Sequence, residues 1–221
     1  MSKKQTETPI LADEMLGKSE EFVIKYKKAI IGGIVAIVAC VLGFILFSKY
    51  VAEPQEAAAN NAIFKAQQYF NQNDFETALN GDGVNAGFLK VISDHSGTDA
   101  ANIAYAYAGI CQAQLGNFGE AIENLENFDG SDKIIAPKAM HTLAMCYAHE
   151  ENIDKAISLL LDAADEAENI AITPRCWMDA AAMYEQQGNS NKAKALYERI
   201  KKEYPQSPEA MNIDKFINSV K

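Results

Sequence analysis

The stretch PRCWMDAAAMYEQQGNSNKAKALYERIKKEYP, Pro174 to Pro205, decides the fold. With Pro174 as position 1, Trp177 stands at 4, Ala181 at 8, Tyr184 at 11 and Gly188 at 15. Ala193 follows at 20, Tyr197 at 24 and Pro205 at 32. Large apolar residues recur at helical spacing on both sides of a glycine, and small ones stand where two helices would touch. The stretch therefore reads as two helices joined by a tight turn. Ala181 and Ala193 allow close approach, while Trp177, Tyr184 and Tyr197 fill the space between neighbouring units.

This spacing resembles the tetratricopeptide repeat, a 34-residue helix–turn–helix. Ala180 stands where the pattern has leucine at 7, and Ile200 replaces the small residue at 27. Three earlier copies are visible. One starts at Pro137, with Met140 at 4, Leu143 at 7, Ala144 at 8, Tyr147 at 11, Ala156 at 20 and Leu160 at 24, but its turn HEENID has no glycine. Another starts at Asn102, with Tyr105, Gly109, Gly116, Ala121 and Leu125 in register and Gln112 in place of the aromatic at 11. A degenerate copy near Ala59 keeps Ala66, Tyr69 and Ala78 and is interrupted by NGDGVNAG, residues 80–87, which signals an inserted loop. The starts at 59, 102, 137 and 174 give periods of 43, 35 and 37. A stack of such units needs a cap. SPEAMNIDKFINSVK supplies one, with Ser207 as N-cap, Pro208 in the first turn and an apolar stripe of Ile213, Phe216, Ile217 and Val220.

Ahead of the array, Ala29 to Phe47 is a run of 19 residues without a charge or a strongly polar side chain. As a helix it spans ~28 Å, near the hydrocarbon thickness of a bilayer. It exceeds the apolar core of a signal peptide, and 28 residues precede it, so an uncleaved anchor is expected. Lys18, Lys25, Lys27 and Lys28 precede the span and only Lys49 closely follows, which places the N-terminus in the cytoplasm and the rest outside. Gly32, Ala36, Cys40 and Gly43 form a small-residue stripe that suits a packed partner helix, although membrane helices are rich in such residues in any case. The expected fold is all-α. It comprises a cytoplasmic segment 1–28, a transmembrane anchor 29–48, a connector 49–56 with Pro54 as a break, and a repeat superhelix 57–221. The repeat units lie near 59–95, 102–135, 137–172 and 174–207, with a cap over 208–220.

Formal charge is −10, concentrated in residues 53–191, which carry 21 acidic and 6 basic side chains, whereas residues 192–221 carry 4 and 7. That balance argues against nucleic acid. Cys111, Cys146 and Cys176 match no metal spacing and fall in alanine-rich helices, so they read as small core residues. HEENI, residues 149–153, opens like a zinc-protease helix but has Ile153 where the second histidine belongs. GDG, residues 81–83, lacks the acids of a calcium loop and the lysine of a phosphate loop, and no nucleophile elbow occurs. No enzyme, metal or cofactor is expected.

The tetratricopeptide resemblance implies that positions 2, 5, 9 and 12 of each unit line a concave groove for peptides. These are Asn60, Ile63, Gln67 and Phe70; Ile103, Ala106, Ile110 and Ala113; Lys138, His141, Met145 and Ala148; and Arg175, Met178, Ala182 and Glu185. Packing against the insertion or the cap is the competing account for any one of them. Ile63 and Gln67 stand where the lysine and asparagine of a carboxylate clamp would be, so binding of acidic tails is not carried over. The whole layout resembles the YfgM-like group, an ancillary subunit of the bacterial Sec translocon that also associates with a periplasmic chaperone. It resembles membrane-anchored tetratricopeptide proteins of Bacteroidetes-type bacteria as well. The resemblance implies an inner-membrane adaptor facing the periplasm, with the translocon, a chaperone and exported polypeptides as partners. An envelope scaffold or assembly factor, or a regulatory subunit of an enzyme, remains the alternative.

Overall fold

Four turns of one geometry set the architecture of this computed structural model, which describes residues 8–130 and 135–220, with side chains from residue 24 onward. Asn73, Gly116, Glu151 and Gly188 all adopt a positive φ, of 60°, 85°, 59° and 75°. Each donates its N–H to a carbonyl three residues back (Phe70, Ala113, Ala148, Glu185), and the next residue bonds five back to Tyr69, Gln112, Tyr147 and Tyr184. The following residue, Asp74, Asn117, Asn152 or Asn189, is in each case the N-cap of the next helix. These four positive-φ residues are position 15 of the four units, so the irregular periods of the sequence are the periods of the structure. In the third unit a glutamate takes the left-handed conformation that glycine supplies in the second and fourth.

The helices on either side of these turns are α2 (Glu53–Asn71) and α3 (Phe75–Asn80), α5 (Asp99–Gln114) and α6 (Phe118–Asn127), α7 (Ile135–His149) and α8 (Ile153–Ala167), and α9 (Thr173–Gln186) and α10 (Ser190–Glu203). No strand occurs among the described residues, apart from one isolated bridge between Gly81 and Ala86. The expected all-α repeat fold is the fold observed. Positions 8 and 20 are its hinge points: Ala66, Ala78, Ala121, Ala144, Ala156, Ala181 and Ala193 are all fully buried. Gly109 holds position 8 in the second unit, where a Cβ would lie 2.5 Å from Leu125 Cγ and 3.0 Å from the Ala121 carbonyl. Gln112, in place of the aromatic at 11, is buried but not orphaned, because its Oε1 accepts from Asn124 Nδ2 at 2.7 Å.

The insertion splits the second helix of the first unit. After α3 the chain makes the loop 81–87 and resumes as α4 (Phe88–Asp94), which packs on α5. Asp82 organises the loop by accepting from the N–H groups of Val84 and Asn85, the Asn85 side chain and the Tyr69 hydroxyl. Bonds from Asn85, Tyr69 and Val84 hold its carboxyl well below the usual carboxylate range. The GDG segment thus satisfies itself internally. At the start of α5, Thr98 Oγ1 accepts from Ala101, and the Glu56 carboxylate of α2 accepts from the N–H groups of Asp99 (2.8 Å) and Ala100 (3.1 Å).

Three clusters make the core: one under the insertion around Phe88 and Ala104, one between the second and third units around Ala139 and Leu143, and one around Leu160, Trp177 and Tyr197. The last runs into the cap. Ser207 Oγ accepts from Ala210 N–H at 3.2 Å, as its N-cap role requires. The cap is not one helix, however. A 3₁₀ turn, Pro208–Asn212, precedes α11 (Ile213–Ser219), because Asn212 leaves the helical region at φ −125° and ψ 19°. Ile213 and Val220 are buried, while Phe216 stays at the surface with its ring 5.5 Å from that of Tyr197.

The chain divides into two compact units, Met1–Pro54 and Gln55–Lys221. The first is helical from Thr8: α1 runs Thr8–Phe47, so the expected segment 1–28 is helical over its described part, and residues 1–7 lie outside the described residues. From Ile24 to Phe47 its large apolar side chains are exposed, and the helix is long and apolar enough to cross a membrane. Gly32 and Gly43 have open space beside them, and Cys40 is exposed. Pro54 does not break the connector. A π-helical turn, Ser48–Ala52, precedes α2, and its wider loop accommodates a proline whose ring would otherwise collide with the carbonyl four residues back.

Candidate functional site

The first helices of the units, α2, α5, α7 and α9, carry the positions expected to face a groove. Their fates diverge along the array. Ile63, Ala106 and Ile110 are buried in the core, at 4%, 0% and 5% exposure, and line no open surface. The reason is the same in each case. Positions 5 and 9 point at the neighbouring unit, and there Ile63 meets the cluster under the insertion while Ala106 and Ile110 pack with Ala139, Leu143 and Cys146 of α7. Phe70 is also structural, its ring set edge-on to Phe75, Phe88 and Tyr107, with the Lys138 ammonium 5.5 Å from its centre. Gln67, Ile103 and Ala113 are half-buried and Asn60 is exposed.

On α7 and α9 the face opens. Lys138, Arg175, Ala182 and Glu185 are exposed, and His141, Met145, Ala148 and Met178 are half-buried. Position 7 of the fourth unit holds the small Ala180, shorter than Leu143, which stands at position 7 of the third unit and shares a buried cluster with Ala106 and Ile110. His141 Nε2 lies 2.8 Å from Asp179 Oδ2, which also accepts from Arg175 Nε at 2.9 Å. Burial alone would raise the Asp179 carboxyl, but the His141 hydrogen bond and the Arg175 charge outweigh it and hold the group below its ordinary value. Glu185 is fixed as well, accepting from the Tyr197 hydroxyl at 2.5 Å. His141 and Arg175 are therefore brought together with Asp179 as the link, while Glu185, two turns further along α9, is held by Tyr197 of α10.

One helical turn beyond the His141–Asp179 contact, Met145 and Met183 line a cavity of about 260 Å³ together with Ala148, His149, Ile153 and Gln186. The His149 ring stacks on Phe118 at 3.9 Å and serves as a wall. The inserted loop does not line this cavity.

Sequence reasoning missed Asp179, Met183, Gln186 and Ile153. The first was legible in principle, since Asp179 lies four residues after Arg175 on one helix and position 6 of one unit faces position 5 of the preceding one. Trp177, beneath this face, is 2% exposed and belongs to the core. Its ring carries the Arg199 guanidinium at 3.9 Å on one side and meets Tyr204 edge-on at 5.6 Å. The three cysteines of the array are buried and free. Desolvation pushes the thiols of Cys111 and Cys176 up to about 12 and that of Cys146 up to about 11, so no reactive thiolate is on offer at neutral pH. Among the described residues no three His, Cys, Asp or Glu side chains gather as a metal site requires.

A tetratricopeptide-repeat family model matches residues 174–213. No curated protein matches the chain. Among solved structures it is similar to nearly identical TPR-like repeats designated a kinesin light chain from Podosopora anserina, with a TM-score of 0.57 and 15% identity over 75% of this chain and 86% of that one. The likeness is one of fold, that of a helical repeat array.

Proposed function

We propose that this tetratricopeptide-like chain is a non-enzymatic adaptor, anchored by α1 in a bacterial inner membrane, that binds proteins on the α7–α9 face in the periplasm. The observation that carries the reading is the contrast within one structure. Ile63, Ala106 and Ile110 on α2 and α5 are sealed, whereas all the equivalent positions on α7 and α9 are exposed or half-buried and present fixed charges beside an apolar cavity. Preorganised polar groups around an apolar pocket are what a protein partner needs. The groove proposed here consists of Lys138, His141, Met145, Ala148, Arg175, Met178, Ala182 and Glu185, with Asp179 and Met183 added and Ile63, Ala106 and Ile110 removed.

The exposed apolar helix α1 and the lysines before it support an anchor with a cytoplasmic N-terminus. The resemblance to translocon-associated tetratricopeptide proteins supports newly exported polypeptides, the translocon and a periplasmic chaperone as partners. A photo-crosslinking amino acid placed at Lys138 or Met178 in intact cells tests this, with Asp162, exposed on α8, as control. Recovery of translocon subunits and exported chains from the first two positions alone is the expected result, and recovery of only outer-membrane assembly proteins overturns it. A Lys194→Cys variant reports orientation. Labelling by an impermeant reagent after outer-membrane permeabilisation is expected, and labelling only after inner-membrane rupture refutes it.

A further inference from the structure

We infer that the cavity between α7 and α9 receives a bulky apolar side chain carried on a basic segment of a partner protein. This rests on the binding face proposed above and names its ligand chemistry. The cavity is floored by Met145 and Met183 and walled by Ala148 and Ile153, with Gln186 and the stacked His149 at its edge. Methionine adapts to varied apolar shapes, so the cavity selects for bulk rather than for one side chain.

The charge comes from the segments that carry this lining. Residues 145–155 and 183–187 also carry Glu150, Glu151, Asp154 and Glu185, all exposed. Their one cation is Lys155, whose ammonium is already bonded to Glu126 and the Tyr147 hydroxyl. Glu150, Glu151 and Asp154 thus crowd the α7–α8 turn next to the lining residues His149 and Ile153, and the lysine in these segments is already paired. An acidic segment is repelled there, and one with lysines or arginines flanking its apolar residue is attracted. This is the reverse of the carboxylate-clamp preference.

Fluorescence anisotropy with the full-length chain in neutral-lipid nanodiscs, empty nanodiscs subtracted, tests the inference with three labelled peptides: repeats of Lys-Leu-Lys, Lys-Ser-Lys and Glu-Leu-Glu. The first is expected to bind about tenfold or more tightly than the other two, with affinity falling as salt rises. Met145→Lys in the cavity, and Glu150→Lys with Glu151→Lys in the adjoining turn, are each expected to weaken it by about tenfold. The double variant changes only exposed side chains and decides the matter if Met145→Lys fails to fold by circular dichroism. Equal binding of Lys-Ser-Lys, equal binding of Glu-Leu-Glu, or indifference to the folded variants overturns the inference. So does self-association that competes with the peptide, since a second copy would then be the occupant. If no peptide binds while Met178 crosslinks the expected exported chains, this ligand chemistry fails and the binding face stands. If neither occurs, both fail.

Discussion

His141 of the third unit and Asp179 of the fourth are joined side chain to side chain at 2.8 Å, and Arg175 closes on the same carboxylate oxygen. A carboxyl held below its ordinary value binds fewer protons folded than unfolded. The stability it lends is therefore present above the unfolded value of ~3.9 and is lost as pH falls through the folded value. Asp179→Asn is expected to lower stability at neutral pH by about 1–3 kcal/mol. Urea unfolding across pH shows the difference from the parent shrinking below about pH 4; a difference that persists there contradicts the linkage.

Replacing Trp177 with alanine removes a side chain with 2% exposure and costs about 3–5 kcal/mol. Trp177→Phe costs less, because the phenyl ring keeps much of the contact and removes an indole N–H that is buried without a hydrogen-bond partner. The two urea midpoints, measured side by side, give the order.

Gly109→Ala improves helix propensity by ~1 kcal/mol yet is expected to destabilise the array by about 1–3 kcal/mol. The added methyl would meet Leu125 at its branch point, so either the side chain or the α5–α6 distance must change. Thermal unfolding that rises instead would place the two helices farther apart than described.

Glu151→Gly is expected to stabilise the third unit by up to about 1 kcal/mol, since Glu151 holds φ 59° in a turn that Gly188 makes without strain. Gly188→Ala is its mirror, costing about 1 kcal/mol. Calorimetry of the pair reads the cost of the left-handed conformation.

Cys111, Cys146 and Cys176 resist thiol reagents at neutral pH and react once urea unfolds the array, because burial keeps them protonated and covered. Rapid modification of the native chain by a water-soluble disulfide reagent would show that the core opens.

The repeat fold was legible because steric demand at helix contacts leaves few residue choices. Alanine or glycine at positions 8 and 20, read from the sequence, meets at full burial in each unit. The proposed binding face was legible only in part. A position in a repeat says which neighbour a side chain points at, and the size of that neighbour decides whether it is covered. Thus Ile110 shares a buried cluster with Leu143, while Met145, its counterpart, stays half-buried where position 7 of the next unit is the smaller Ala180. Pro54 misled for a related reason: the sequence shows the missing N–H but not the π-helical turn that absorbs it. Asp179 escaped notice because its partner lies 38 residues away.

The array is sealed differently at its two ends. At one, the Glu56 carboxylate sits on the amide groups that open α5; at the other, Ile213 and Val220 are pressed into the last units. A charge at a helix end is screened by any salt, and an apolar plug is strengthened by kosmotropic ones such as sulfate. Rising sulfate thus loosens the first repeat while tightening the last, and the order in which the array frays is set by the solvent it meets.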